Sequence, residues 1–166
     1  MKNIILIGMM GCGKSTLSVL LSEALGRPLV DTDTQIAEQE GRSIAEIFSA
    51  EGEAYFRALE RELSAELGQR EGLIISCGGG LPMNGECMAA LKSSGTVIWL
   101  RRDPDETYDT MDHSGRPLAQ QGRQDFLNRF SQREPVYRKW ADIVIEDFSS
   151  PDHTLTLILE ALPCEF

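Results

Sequence analysis

Short apolar runs alternate along this chain with longer stretches in which apolar positions recur every three or four residues. Ile4-Ile5-Leu6-Ile7 and Val97-Ile98-Trp99-Leu100 contain no polar residue. Such runs fit strands buried on both faces. The pattern predicts strands at residues 3–8, 28–31, 73–77, 96–100 and 143–145. It predicts helices at 14–25, 33–40, 43–50, 53–69, 84–93, 104–112, 123–139 and 152–162. Gly26 is placed to close the first helix, and Pro135 is expected to interrupt the seventh. Within 53–69, Tyr55, Phe56, Leu59, Leu63 and Leu67 form a stripe at helical spacing. Five buried strands separated by helices imply an α/β fold, a parallel sheet covered by helices on both faces. Ligands of such sheets bind beyond the carboxyl ends of the strands, so the residues just after each strand are the first candidates for chemistry.

The 166 residues suit one domain, and no repeat or linker divides them. The formal charge of −10 argues against nucleic acid or a polybasic membrane contact as a partner. Eight of the 16 Lys and Arg residues lie between Arg101 and Lys139, which leaves room for a local anion pocket. Cys12, Cys77, Cys87 and Cys164 lack metal-ligand spacing and read as free thiols of a cytoplasmic protein. The apolar start is a buried strand rather than a signal peptide, and no run approaches the length of a membrane span.

The first strand runs into Gly8-Met9-Met10-Gly11-Cys12-Gly13-Lys14-Ser15-Thr16. Residues 8–15 fit G-x-x-x-x-G-K-[ST], the P-loop that cradles nucleotide phosphates. Its glycines let successive N–H groups turn inward, and the helix that follows adds its positive end. Lys14 brings a point charge to the β- and γ-phosphates, and Ser15 offers a hydroxyl to Mg²⁺. The chain has no Asn-Lys-x-Asp segment for reading guanine and is short for a motor.

The second strand ends in Asp31-Thr32-Asp33, two carboxylates on one side of an extended backbone. One could hold a metal-bound water and the other an acceptor hydroxyl; equally, Asp33 could cap the next helix. Arg57 and Glu60 are either a solvated pair or part of a site. Gly78-Gly79-Gly80, after the third strand, permits close approach of a ligand or is simply a turn. Arg116-Pro117-Leu118 lies in a polar loop with Gly115 and Gly122, and Arg133 shares a helical face with Arg129.

Taken together, residues 8–16, Asp31-Thr32-Asp33, Gly41-Arg42-Ser43-Ile44 with Glu46-Ile47-Phe48, Gly52-Glu53 with Phe56-Arg57 and Glu60, Gly78-Gly79-Gly80, Arg116-Pro117-Leu118, and Arg133 with Pro135 and Tyr137 resemble the shikimate kinase family, small P-loop metabolite kinases. The resemblance covers residues 3 to about 151. It implies a P-loop NTPase fold with sheet order 2-3-1-4-5, a single domain over 1–166, a substrate-binding region at about 32–60 and a lid at about 109–122. It implies transfer of phosphate from ATP to the shikimate 3-hydroxyl, on the route to chorismate and the aromatic amino acids, with Mg²⁺ as cofactor. Carried across by position, Gly11, Cys12, Gly13, Lys14, Ser15 and Thr16 hold ATP, and Ser15 and Asp31 serve the metal. Asp33 orients or deprotonates the acceptor. Arg57 and Arg133 bind the carboxylate, Gly78, Gly79 and Gly80 line the substrate, and Arg116 reaches the transferring phosphate. Glu60 positions the arginines. The expected partners are ATP and shikimate alone, with the protein a monomer.

The resemblance breaks at Asp109, where the family often carries an arginine that stacks on adenine. It breaks again at Ala119, where a second leucine is usual. Residues 147–151 resemble the family's other adenine-side loop. Two alternatives stand beside the shikimate reading: another small-metabolite kinase, such as one acting on gluconate, and a nucleotide-binding module without catalysis.

Overall fold

The computed structural model of the chain describes residues 1–112 and 122–163. Its elements, in chain order, begin with β1 (Asn3–Ile7), α1 (Lys14–Leu25), β2 (Leu29–Asp31), α2 (Thr32–Glu40), α3 (Ile44–Glu51), α4 (Glu53–Leu67) and β3 (Ile74–Ser76). They continue with a short 3₁₀ turn (Leu81–Met83), α5 (Gly85–Lys92), β4 (Gly95–Leu100), α6 (Pro104–Thr110), α7 (Arg123–Trp140), β5 (Ile143–Ile145) and α8 (Pro151–Ala161). The five strands form one parallel sheet in the order β2-β3-β1-β4-β5. That is the topology the family resemblance implies.

Strand β1 is buried at all five positions because its alternate residues feed two cores. Ile5 and Ile7 join Phe56, Leu63, Ile75, Trp99 and Tyr137 on one face. Ile4 and Leu6 join Leu17, Leu21, Ile98 and Ile158 on the other. An unbroken apolar run is what a strand covered on both sides requires. Asn3 is the exception and is fully buried. Its side chain donates to the Arg70 carbonyl (2.8 Å) and accepts from Leu73 N–H (2.9 Å), tying the entry of β1 to the entry of β3.

Two expectations change. Pro135 does not interrupt the seventh helix, which runs unbroken through it. The buried Phe126, Phe130, Arg133 and Tyr137 recur on one face and anchor the helix on both sides of the proline, outweighing the one backbone hydrogen bond that proline removes. The capping residue of α2 is Asp31 rather than Asp33: Asp31 Oδ1 accepts from Thr34 N–H at 3.0 Å and the helix starts at Thr32. The 3₁₀ turn at Leu81–Met83 had no periodic signal, since three residues are too few to show one. Cys12, Cys77 and Cys87 are free and buried, as expected, while Cys164 lies outside the described residues. Among the described residues no helix is long and apolar enough to cross a membrane.

Candidate active site

The loop after β1 is shaped for an anion. Gly13 caps α1 with φ +99° and gives no side-chain cap, so the first N–H groups of the helix are left for a ligand. Gly11 has φ +76°, and a methyl group there would lie 2.8 Å from Met111 Cβ at the end of α6. Glycine is therefore required at that position twice over, by its backbone and by its neighbour. No acidic residue occupies the first turn of α1. Ser15 and Thr16 are exposed, whereas Lys14 is buried. The Lys14 Nζ donates to the carbonyls of Gly8 (2.7 Å) and Met9 (3.1 Å). Cys12 is sequestered beneath the loop, contributing its backbone rather than an accessible thiol.

The loop after β3 runs beside this cradle and draws in three charged side chains from three different helices. A methyl group on Gly78 would lie 2.6 Å from Asp33 Oδ1 of α2. On Gly79 it would lie 3.0 Å from Arg133 Nη1 of α7, and on Gly80 2.7 Å from Arg57 Nη2 of α4. The three glycines are thus the floor on which Asp33, Arg133 and Arg57 converge. Thr32 Oγ1 accepts from Gly78 N–H at 2.9 Å and registers α2 against the loop. A loose turn would not need these contacts. Arg57, Gly80 and Arg133 also line an open cavity of about 890 Å³, together with Arg61, Asn84 and Arg129.

The electrostatics follow from this packing. Burial raises the Asp33 carboxyl above its ordinary value and nearby Asp31 adds to the rise, while Lys14 and Arg57 pull against it. Glu60 is 1% exposed. Burial raises its pKa too, opposed mainly by Arg57, whose Nη1 donates to Glu60 Oε1 at 2.5 Å. The solvated-pair reading of Arg57 and Glu60 is therefore wrong: the α4 stripe carries Glu60 inward and holds Arg57 at the cavity. Burial pushes the Tyr137 hydroxyl up to about 12, so it stays a neutral donor.

Asp31 and Ser15 bring hard oxygen donors suited to Mg²⁺, an ion that keeps most of its waters. Capping α2 engages Oδ1 of Asp31. Arg116, with Gly115, Leu118 and Ala119, lies outside the described residues. Asp109 does have a basic partner, although none adjoins it in sequence. Arg123, at the start of α7, donates to Asp109 and to Asp105 (2.8 Å) and stacks over Tyr108 at 4.8 Å. Sequence reasoning gave no role to Met9 or Tyr137. The Tyr137 hydroxyl donates to the Gly79 carbonyl and lies 3.7 Å from Met9 Sδ. The helical spacing of Arg133 and Tyr137 was the available signal.

A protein-family model described as shikimate kinase matches residues 10–163. A shikimate kinase of Dehalococcoides mccartyi is 39% identical over 153 residues, covering 91% of this chain and 87% of its own. One from Aquifex aeolicus is 39% identical over 161 residues, covering 96% and 95%. Among solved structures, a shikimate kinase from Acinetobacter baumannii in complex with shikimate aligns with a TM-score of 0.87 at 33% identity, over 96% of this chain and 94% of that one. The Aquifex aeolicus shikimate kinase aligns at 0.84 and 38%, over 95% and 94%. A gluconokinase from Sinorhizobium meliloti aligns at 0.55 with 14% identity, over 96% and 94%, a likeness of fold alone. The chain belongs to the shikimate kinase family.

Proposed function

We propose that this protein transfers the γ-phosphoryl group of ATP to the 3-hydroxyl of shikimate, giving shikimate 3-phosphate and ADP. The observation that carries this reading is the convergence of Asp33, Arg57 and Arg133 on Gly78-Gly79-Gly80 beside the phosphate cradle. Two guanidinium groups suit a carboxylate, which accepts paired hydrogen bonds from each. A partly desolvated carboxylate suits the acceptor hydroxyl, because its raised pKa makes it a better proton acceptor.

In this reading Gly11, Cys12, Gly13, Lys14, Ser15 and Thr16 hold the ATP phosphates. Lys14 leaves its loop carbonyls to meet the β- and γ-phosphates. Ser15 and Asp31 hold Mg²⁺, which when bound neutralises charge on the transferring phosphate. Arg57 and Arg133 grip the shikimate carboxylate, and Gly79 and Gly80 offer backbone N–H groups to the ring. Asp33 aligns the 3-hydroxyl and takes its proton. Glu60 positions Arg57. Arg116 meets the phosphate from the region of about 109–122, which serves as a lid, with about 32–60 as the substrate-binding region of a single domain. Phosphoryl transfer rests mainly on such positioning and charge stabilisation. The protein acts as a monomer in the cytoplasm, without nucleic-acid or membrane partners.

A coupled ADP-release assay over a panel of hydroxy acids tests the assignment. Turnover with shikimate should exceed that with gluconate by at least about a hundredfold, the ratio expected when a site built for specific hydroxyls meets a misfit. Equal turnover, or none with shikimate, would remove the proposal.

A further inference from the structure

One face of α7 holds Gly79 twice. Arg133 Nη1 lies 3.0 Å from where a Gly79 side chain would begin, and Tyr137, one turn later, donates its hydroxyl to the Gly79 carbonyl. Tyr137 is fully buried, packed edge-on against Trp99 of β4 at 5.9 Å between ring centroids. Its hydroxyl and Arg133 Nη1 both approach Met9 Sδ, at 3.7 and 3.9 Å. A tyrosine needed only for packing would not require that hydroxyl, since phenylalanine fills nearly the same space. The peptide joining Gly79 to Gly80 is planar and trans, so its C=O and N–H point in opposite directions. Tyr137 draws the carbonyl toward the core and thereby turns the Gly80 N–H away from it. Gly80 lines the cavity between Arg57 and Arg133. Among the described residues no acceptor takes the Gly79 or Gly80 N–H, while the next N–H, of Leu81, is used internally by the Gly78 carbonyl at 3.1 Å.

We infer that Tyr137 is a positioning residue for the acceptor: its hydroxyl fixes the plane of the Gly79–Gly80 peptide and so pre-aims the Gly80 N–H at shikimate. The inference rests on the acceptor site proposed above and adds a residue that touches neither substrate. Preorganisation of this kind acts on affinity for the acceptor and leaves the nucleotide cradle alone.

Tyr137→Phe keeps the ring and its contact with Trp99 and removes only the hydroxyl. Wild-type turnover of shikimate is measured first, since its absence would indict the acceptor assignment rather than Tyr137. Given that turnover, calorimetric titration without nucleotide should show shikimate binding about 5- to 20-fold more weakly to the variant, the effect of losing one aligned hydrogen bond. The KM for ATP should stay within about twofold and the melting temperature within about 3 °C. Unchanged shikimate affinity, or equal losses toward both substrates, overturns the inference. Should the variant not fold, the wild-type protein carries the test: hydrogen exchange at the Gly80 amide should slow when shikimate alone is added, and a Gly80 amide left unprotected overturns the inference equally.

Discussion

Glu60 holds Arg57 through one carboxylate oxygen at 2.5 Å and keeps its other oxygen buried without a hydrogen-bond partner among the described residues. Such an arrangement costs stability, since a buried polar atom left unsatisfied costs about 1–3 kcal/mol. Its return is a guanidinium held at the cavity wall beside Gly80. Glu60→Gln removes the charge that fixes Arg57. The KM for shikimate should rise by about tenfold or more, as for loss of a charge-assisted hydrogen bond. A KM unchanged from wild type would show that Arg57 needs no such support.

Asp33 links chemistry to stability with a definite sign. Burial, with Asp31, raises its pKa above the ordinary 3.8. A carboxyl that binds its proton more tightly in the folded chain than in the unfolded one makes stability fall as pH climbs from 3.8 through the higher folded value. Asp33→Asn cannot ionise and avoids that loss. At pH 7 it should melt above wild type, with the gap closing near pH 4. Turnover should fall about 10²- to 10⁴-fold, the range for loss of a general base, with ATP affinity little changed. Equal losses of turnover and ATP affinity would move Asp33 out of the acceptor site.

The glycine run gives a prediction specific to close approach. At Gly79 and Gly80 an added methyl meets the far ends of Arg133 and Arg57, which can swing aside. Gly79→Ala and Gly80→Ala should therefore fold, with melting points within about 4 °C of wild type, a cost of roughly 1 kcal/mol. Each should still raise the shikimate KM by about tenfold or more, because the displaced guanidinium no longer meets the carboxylate. Kinetics unchanged in both variants would make the run a plain turn.

Arg133→Ala separates binding from chemistry. It should raise the KM for shikimate about 10- to 100-fold, the scale of a lost charge-assisted pair, while the ATP KM holds. An unaltered shikimate KM would mean that Arg133 serves only to pack α7 against the glycine loop.

Most of the fold was legible because its strands are buried on both faces and so read as unbroken apolar runs, as at residues 4–7 and 97–100. The helix through Pro135 was not, since a local rule about one residue competes there with four buried anchors that only the tertiary structure supplies. The P-loop was legible because its residues are contiguous. The acceptor site is assembled from α2, the loop after β3, α4 and α7, and its pieces became a site only through the family resemblance. Which aspartate caps α2 turns on a shift of two residues, and the sequence pattern held Asp33 equally as a cap and as a site residue. Partnerships such as Tyr137 with Gly79 and Arg123 with Asp109 span 58 and 14 residues and leave no local pattern.

The most direct test is the identity of the product. Shikimate, ATP and Mg²⁺ are incubated with the purified protein, and the phosphorylated acceptor is read by phosphorus–proton correlation NMR. The expected result is a single monoester whose phosphorus couples to the ring proton at carbon 3, formed together with ADP. A folded, ATP-binding protein that forms no shikimate phosphate, or one that esterifies a different hydroxyl, would contradict the assignment of Asp33, Arg57 and Arg133 to the acceptor.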